Sequence, residues 1–154
     1  MELITDRTAQ DVQQVLELIK KPIESWTDAE KEWWHSGPKG AYNSADLNRV
    51  EAAVDYVAKR LIPTGYIMEY EVRTDWKLTD FPSASEMDRF LDNIRKIRAG
   101  LVTGYVFPNV PENMEKFDYQ KANDIEKILV LVDSIIDNVL SSYYYSGELF
   151  SGEV

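Results

Sequence analysis

The chain has 154 residues, of which 44% are hydrophobic and 29% charged, and these proportions are typical of a single soluble globular domain. A net charge of −10 argues against binding to nucleic acid or to anionic membranes, because both require a basic surface. The absence of cysteine excludes disulfides, thiolate catalysis and zinc sites built on cysteine. No apolar run approaches the roughly 18 residues that span a bilayer, and the first residues lack the pattern of a secretory signal.

Two short helices are predicted near the N-terminus. The first covers residues 8–20, because Thr8 and Asp11 have the spacing of a capping box and apolar residues follow at intervals of three and four. The second begins after Thr27, with Glu30 three residues later, and ends at the Gly-Pro pair that follows.

The third predicted helix begins at Asn43 or Ser44 and ends before Pro63. Its apolar residues form a single stripe, made of Leu47, Val50, Val54, Val57 and Leu61. Residues 66–73 then alternate between apolar and polar, which predicts a strand, and a second short strand over 76–78 would complete a β-hairpin. An ordered loop is the alternative for this region.

Two longer helices complete the domain. Ser83 and Glu86 form a capping box at the start of the fourth helix, and residues 104–118 form a long connection. The fifth helix covers residues 119–142 after the cap Asp118, and its apolar residues extend beyond one stripe, so we expect it to be buried on two sides. It is either the central helix of the domain or the seam of a homo-oligomer. The central position is favoured, because coiled-coil seams are narrower.

We therefore predict a mainly α fold, with four to five helices around a long central C-terminal helix, a small β-hairpin over 66–78 and an extended C-terminal tail. Residues 1–142 form the helical domain and residues 143–154 the tail. The tail contains a five-residue unit written twice, at 145–149 and 150–154. Aromatic residues separated by Ser-Gly are typical of a segment that packs on its own domain or on a neighbour.

A short internal similarity links the starts of two predicted helices. Residues 42–51 and 117–126 each contain an aromatic residue, an Asn six positions later, and then a β-branched residue and a Glu. We interpret the similarity as two ordinary amphipathic helix starts, in which Asn48 and Asn123 bond to nearby backbone.

The sequence contains no motif that predicts catalysis. His35 is the only histidine, and its position at a predicted helix end favours a capping or packing role. Asp133 and Asp137 share a helix face and could bind a hard cation or support a small hydrolase, but a solvated acidic stripe is favoured because calcium-loop spacing is lacking. We expect no enzymatic activity, no metal and no cofactor.

The aromatic residues are the candidates for binding a partner protein, because Trp and Tyr are enriched at interface hot spots. The alternative is that they cap a small core. The candidate partner-binding residues are Trp33, Trp34, Trp76, Tyr143, Tyr144, Tyr145, Leu149 and Phe150.

Four segments carry a resemblance to a known family: residues 41–51 (AYNSADLNRVE), 80–87 (DFPSASEM), 119–126 (YQKANDIE) and 145–149 (YSGEL). In this order they resemble short proteins encoded among the tail and baseplate genes of prophages and phages of Gram-positive, Clostridia-like bacteria. The resemblance covers the chain from about residue 43 onward and implies no catalytic residue. It implies a virion structural protein with other tail proteins as partners, present in the bacterial cytoplasm during assembly and then in the particle.

The alternative function belongs to a different class. A small protein of charge −10 also fits an acidic inhibitor or regulator that mimics DNA and binds a basic host or phage protein. Such a complex would weaken steeply with salt, whereas docking through aromatic residues would be much less sensitive to it.

Overall fold

The structure is a computed structural model that describes residues 1–101 and 104–151, with the side chains of residues 1–101 and 104–142. Five α-helices are found in the described residues: α1 (Ala9–Ile19), α2 (Asp28–His35), α3 (Ser44–Leu61), α4 (Ala84–Ala99) and α5 (Tyr119–Ser151). Single turns of 3-10 helix occur at Ile23–Ser25 and Ile62–Thr64. The prediction of a mainly α fold is confirmed.

The helices begin where the capping signals predicted. Thr8, Thr27, Asn43 and Ser83 each cap a helix, with an acidic side chain three residues later bonding back to the main chain of the cap. Asp118 caps α5 by accepting a hydrogen bond from the N–H of Lys121 at 2.9 Å. Local side-chain chemistry therefore sets all five helix starts.

The hydrophobic core lies between α3, α4 and α5. Helix α5 packs on both α3 and α4, which confirms that it is buried on two sides. Among the described residues, the buried core takes none of its members from α1 or α2, although Val15 and Leu18 of α1 are buried outside it. The fully buried apolar residues include Val50, Val57, Leu61, Phe90, Leu91, Ile94, Ile97, Ile125, Ile128, Leu129, Val132 and Ile136.

The predicted β-hairpin over residues 66–78 is wrong, because the described residues contain no strand. This connection between α3 and α4 lacks regular secondary structure, so the loop alternative applies. Its alternation does reflect burial, because one set of alternate side chains packs against the core: Tyr66, Met68, Tyr70 and Val72. The main chain of this connection forms hydrogen bonds with side chains of neighbouring helices instead of with a second strand.

The predicted extended tail is also wrong as far as Ser151, because the backbone of α5 continues to that residue. The segment contains no proline, and Gly147 alone costs only about 1 kcal/mol relative to alanine in a helix, so nothing local ends the helix at residue 142. Whether the tail packs on its own domain lies outside the described side chains.

Basic residues of α4 hold the two irregular connections on either side of it. Arg95 donates to the carbonyl of Pro111 at 2.8 Å, and Arg98 donates to the carbonyl of Pro108 at 2.9 Å. Lys96 donates to a main-chain carbonyl of the α3–α4 connection at 2.9 Å. These bonds supply donors that a neighbouring strand would otherwise provide.

The approach of Gly40 to α1 yields a stability prediction. A Cβ atom on Gly40 would lie 2.0 Å from the carbonyl oxygen of Asp11 and 2.7 Å from the nitrogen of Val12, and both are main-chain atoms. We therefore expect Gly40→Ala to lower the free energy of unfolding by about 1–3 kcal/mol in urea titrations. The matched control is Gly104→Ala, where a Cβ meets nothing within 4 Å. Equal stability of the two variants would contradict the packing of α1 on residue 40.

Candidate functional site: two helix–segment clips

Helix α3 holds the irregular connection between α3 and α4 with two polar side chains. Asn48 donates to the carbonyl of Trp76 at 3.0 Å and accepts from its N–H at 2.8 Å. Less than one turn later, Glu51 accepts from the N–H of Arg73 at 2.7 Å and from the indole N–H of Trp76 at 3.1 Å. We call Asn48 and Glu51, with the residues 73–76 that they hold, the α3 clip.

Helix α5 holds the N-terminal segment in the same way. Asn123 accepts from the N–H of Arg7 at 3.0 Å and donates to its carbonyl at 2.9 Å. Glu126 accepts from the N–H of Ile4 at 2.6 Å and from the guanidinium of Arg7 at 2.7 Å. We call Asn123 and Glu126, with residues 4–7, the α5 clip.

The two clips are equivalent in every bond to the main chain. In each clip, an Asn bonds to both the N–H and the C=O of the last residue of the held segment. The Glu three positions after that Asn accepts from the N–H of the first residue of the segment. The held segments share their two central residues, since 4–7 reads Ile-Thr-Asp-Arg and 73–76 reads Arg-Thr-Asp-Trp. The prediction that Asn48 and Asn123 bond to nearby backbone is therefore wrong, because their partners are 28 and 116 residues away.

The similarity extends over both halves of the chain. The difference in residue number between Asn48 and Asn123 also separates residues 8–21 from residues 83–96. The first of these ranges contains α1, and the second contains the beginning of α4. Matching pairs at this offset are Thr8 and Ser83, Ala9 and Ala84, Asp11 and Glu86, Leu16 and Leu91, Ile19 and Ile94, and Lys21 and Lys96. We infer from these matches an internal repeat, in which the segment, α1 and α3 of the first half correspond to the segment, α4 and α5 of the second.

The two halves exchange their segments. Residues 4–7 of the first half are held by α5 of the second half, and residues 73–76 of the second half are held by α3 of the first. Tyr42 and Phe117, which are equivalent in the repeat, meet edge to face with ring centroids 4.9 Å apart. Equivalent residues that contact each other are expected where two similar halves pack around an approximate two-fold axis.

Buried charges complete the α5 clip. Glu126 is fully buried and bonds to two guanidinium groups, those of Arg7 and Arg49, at 2.7 and 2.8 Å. Asp46 pairs with the same two arginines. Burial acts to lower the pKa of the Arg49 guanidinium, but its hydrogen bonds to Glu126 and Asp46 outweigh burial and raise that pKa. Two carboxylates face two guanidiniums, so the buried charge is balanced.

The α3 clip is neutralised differently. The buried carboxylate of Glu51 accepts hydrogen bonds from both terminal nitrogens of Arg89 on α4, at 2.8 and 2.9 Å. These hydrogen bonds raise the pKa of Arg89. Arg73 stacks on the indole of Trp76, with 3.9 Å between its guanidinium carbon and the ring centroid. The clip therefore joins α3, α4 and their connection.

A cavity of about 230 Å³ lies between the N-terminal segment and the rest of the domain, beside Arg7, Val12, Gly40 and Tyr42. Burial raises the pKa of the Tyr42 phenol, and the negative charges of the α5 clip add to the shift. Two buried polar atoms here, Arg7 Nε and the Tyr42 hydroxyl, have no hydrogen-bond partner among the described residues. The contact between the N-terminal segment and the body is therefore not fully hydrogen-bonded.

The predicted partner-binding tryptophans occupy different environments. Trp76 is buried in the α3 clip, so we no longer consider it for contact with a partner. Trp33 and Trp34 are half-buried on α2, where Trp34 packs edge-on against Trp26 with centroids 5.6 Å apart. The remaining candidates have side chains outside the described part of the chain: Tyr143, Tyr144, Tyr145, Leu149 and Phe150.

The candidates for chemistry are not brought together. Asp133 and Asp137 each bond to a different terminal nitrogen of Arg60 on α3, so the predicted acidic stripe is ion-paired. His35 is exposed in the last turn of α2. In the side chains that the structure describes, no group of three or more His, Cys, Asp or Glu residues is placed to hold a metal. No helix, over its described residues, is long and apolar enough to cross a membrane.

Sequence reasoning missed the clip residues because it compared only the helix starts. The signal was present in the Thr-Asp pair shared by 4–7 and 73–76 and in the constant offset from Thr8 to Ser83. No protein-family model, curated protein or solved structure matches the chain. The geometry of this chain must therefore carry the functional argument.

The clips predict unequal effects of asparagine substitutions. Asn48→Ala and Asn123→Ala each remove two hydrogen bonds to a main-chain segment, so we expect each to lower the free energy of unfolding by about 2–3 kcal/mol. Asn138→Ala, on the exposed face of α5, is the matched control and is expected to stay within about 0.5 kcal/mol of the parent. Urea unfolding measures all three, and a loss at Asn123 no larger than at Asn138 would rule out a stabilising clip.

The charge balance predicts a larger effect at Glu126. Glu126→Gln keeps the shape of the side chain but leaves the buried guanidinium of Arg7 and the partly buried one of Arg49 facing one carboxylate, so we expect a loss of about 3–5 kcal/mol. Adding Arg49→Met should recover part of that loss, because it restores the balance. The control is the exposed Glu112→Gln. Additive losses in the double variant would show that the four charges are not coupled.

Proposed function

We propose that the protein is a non-enzymatic structural or adaptor component of a phage tail or baseplate, or of a phage-derived contractile particle. The phage assignment is supported by the sequence resemblance from about residue 43 onward. The adaptor role is supported by surfaces that the fold leaves uncovered. Chemistry is disfavoured because the buried carboxylates Asp46, Glu51 and Glu126 are all bonded to arginine and to main chain.

The length of α5 is the observation that carries the adaptor role. Within the described side chains, Leu140 is the last residue of α5 that packs against the core, and Ser141 and Ser142 are exposed. Beyond Ser142 the helical backbone continues to Ser151, which adds about 14 Å at 1.5 Å per residue. This extension carries four aromatic residues, and we propose that a neighbouring subunit covers it.

The repeat supports a second docking area on α1. Leu16 and Ile19 are 41% and 50% exposed, whereas their equivalents Leu91 and Ile94 are fully buried in the core. Ile23, which follows α1, is 67% exposed. The same apolar positions thus serve as core in the second half and as surface in the first, which fits a face kept for a partner.

Removal of the α5 extension tests the proposal. A chain that ends at Ser142 keeps the described core, so we expect its urea unfolding midpoint to stay close to that of the full chain. After prophage induction in the source bacterium, the full chain should sediment with heavy particles in high salt, whereas the shortened chain should stay in the light fraction. A full-length variant with Tyr143, Tyr144 and Tyr145 changed to serine separates the contribution of the aromatic rings from that of helix length.

The outcomes are distinct. Recovery of the shortened chain in the particle fraction would exclude the extension as the docking element. Recovery of the full chain only in the light fraction would contradict the virion role itself.

An acidic inhibitor is the second candidate, and one observation favours it. All seven arginines are engaged by carboxylates or main-chain carbonyls, so their charges are largely committed within the fold of a chain of net charge −10. Carboxylates are paired in the same bonds, but 27 acidic against 17 basic residues leave an excess of negative charge, which suits a basic partner. A light complex with a basic protein that dissociates as salt is raised would favour this function over the virion role.

A further inference from the structure

The N-terminal segment and α1 contribute less to the core than their equivalents in the second half, residues 73–76 and α4. Residues 73–76 lead into α4, whose Phe90, Leu91, Ile94 and Ile97 are fully buried in the core. Residues 4–7 lead into α1 and α2, and neither helix contributes to that core in the described residues. We call residues 1–36 the N-terminal arm and residues 39–142 the body.

The described contacts between arm and body are centred on the α5 clip, where Arg7 also pairs with Asp46 and Leu3 packs against the core. They also include the ion pair between Asp6 and Lys39 at 2.7 Å and the close approach of α1 to Gly40. The interface also contains the 230 Å³ cavity and the two buried polar atoms without a partner. Imperfect packing and unpaired polar groups lower the cost of separating two surfaces.

A short hinge joins the arm to the body. Gly37 has φ +76°, a conformation that favours glycine, and Pro38 follows it directly. A short hinge of this kind favours exchange of an element between copies, because the exchanged form remakes the same contacts and changes only the hinge. Lys39, Gly40 and α5 all lie on the body side, so each arm contact named above is available in a second copy.

The chain already contains one such exchange. Its two halves hold each other through reciprocally exchanged segments, with 4–7 on α5 and 73–76 on α3. The α5 clip is therefore a site built to hold a segment of another body of the same kind.

We propose that the N-terminal arm exchanges between two copies of this chain, so that residues 4–7 of each copy occupy the α5 clip of the other. The result is a two-fold symmetric dimer in which the interaction within the repeat is reproduced between molecules. The proposal goes beyond the adaptor role and is independent of the particle that the protein joins. Because α1 is part of the arm, its exposed apolar face moves with the arm to the other copy.

The ion pair between Asp6 and Lys39 provides a direct test. Equal amounts of natural-abundance and 15N-labelled full-length protein are unfolded, mixed, refolded at high concentration and treated with a zero-length carbodiimide cross-linker. The atoms Asp6 Oδ2 and Lys39 Nζ are 2.7 Å apart, so this pair is expected to form an amide. In an exchanged dimer about half of the cross-linked 6–39 peptides should contain one light and one heavy partner.

An internal control comes from α3. Lys59 and Asp55 are also 2.7 Å apart, but both lie in one helix, so their cross-linked peptide must be purely light or purely heavy in every case. Mixed 6–39 peptides beside unmixed 55–59 peptides would establish arm exchange. Purely light and purely heavy 6–39 peptides in a dimer fraction would overturn it.

A second variant keeps the proposal testable if the wild type refolds only as a closed monomer. Deleting Gly37 and Pro38 shortens the hinge so that an arm no longer reaches the clip of its own body, while a second copy still offers one. We expect this variant to elute as a dimer, and adding Glu126→Gln, which weakens the acceptor site, to shift it toward monomer. A folded monomer with the shortened hinge would contradict exchange.

Discussion

The fold depends on how its irregular main chain obtains hydrogen-bond partners. Segments that lie against a core without secondary structure carry donors and acceptors that water does not reach freely, and leaving these unpaired is costly. The described residues contain no sheet to pair them. Helix side chains take that role instead: Asn48 and Glu51 on α3, Asn123 and Glu126 on α5, and Arg89, Asn93, Lys96 and Arg98 on α4.

Placing carboxylates in these roles has a consequence for charge. Burying a carboxylate is costly unless an opposite charge faces it, and each clip contains a guanidinium that compensates its Glu. Arg7 and Arg49 serve Glu126, and Arg89 serves Glu51. These pairs use carboxylates as well as arginines, and the surface stays acidic because the chain has 27 acidic and 17 basic residues. Either proposed function has to operate through that surface or through the uncovered apolar residues.

The internal repeat explains why stability and surface are divided between the halves. Helix α4 fills the groove between α3 and α5 with large apolar residues, whereas its equivalent α1 presents Val15 where α4 has Phe90, and leaves Leu16 exposed where Leu91 is buried. Helix α4 thus belongs to the core, whereas its equivalent α1 lies outside it. The proposed partner surface and the proposed exchange of the arm both follow from this difference in packing.

Sequence alone determined the helices and most of the core. Capping boxes at Thr8, Thr27 and Ser83 and the stripe from Leu47 to Leu61 act within a few residues, so local spacing is sufficient to predict them. Two features depend on residues far apart in the chain: the loop in place of a hairpin and the pairing of Asp133 with Arg60. The continuation of α5 beyond Ser142 depends on the absence of a local residue that ends the helix. Tertiary structure alone revealed the clips, because Asn123 and Arg7 lie 116 residues apart and become partners only when α5 packs beside the N-terminal segment.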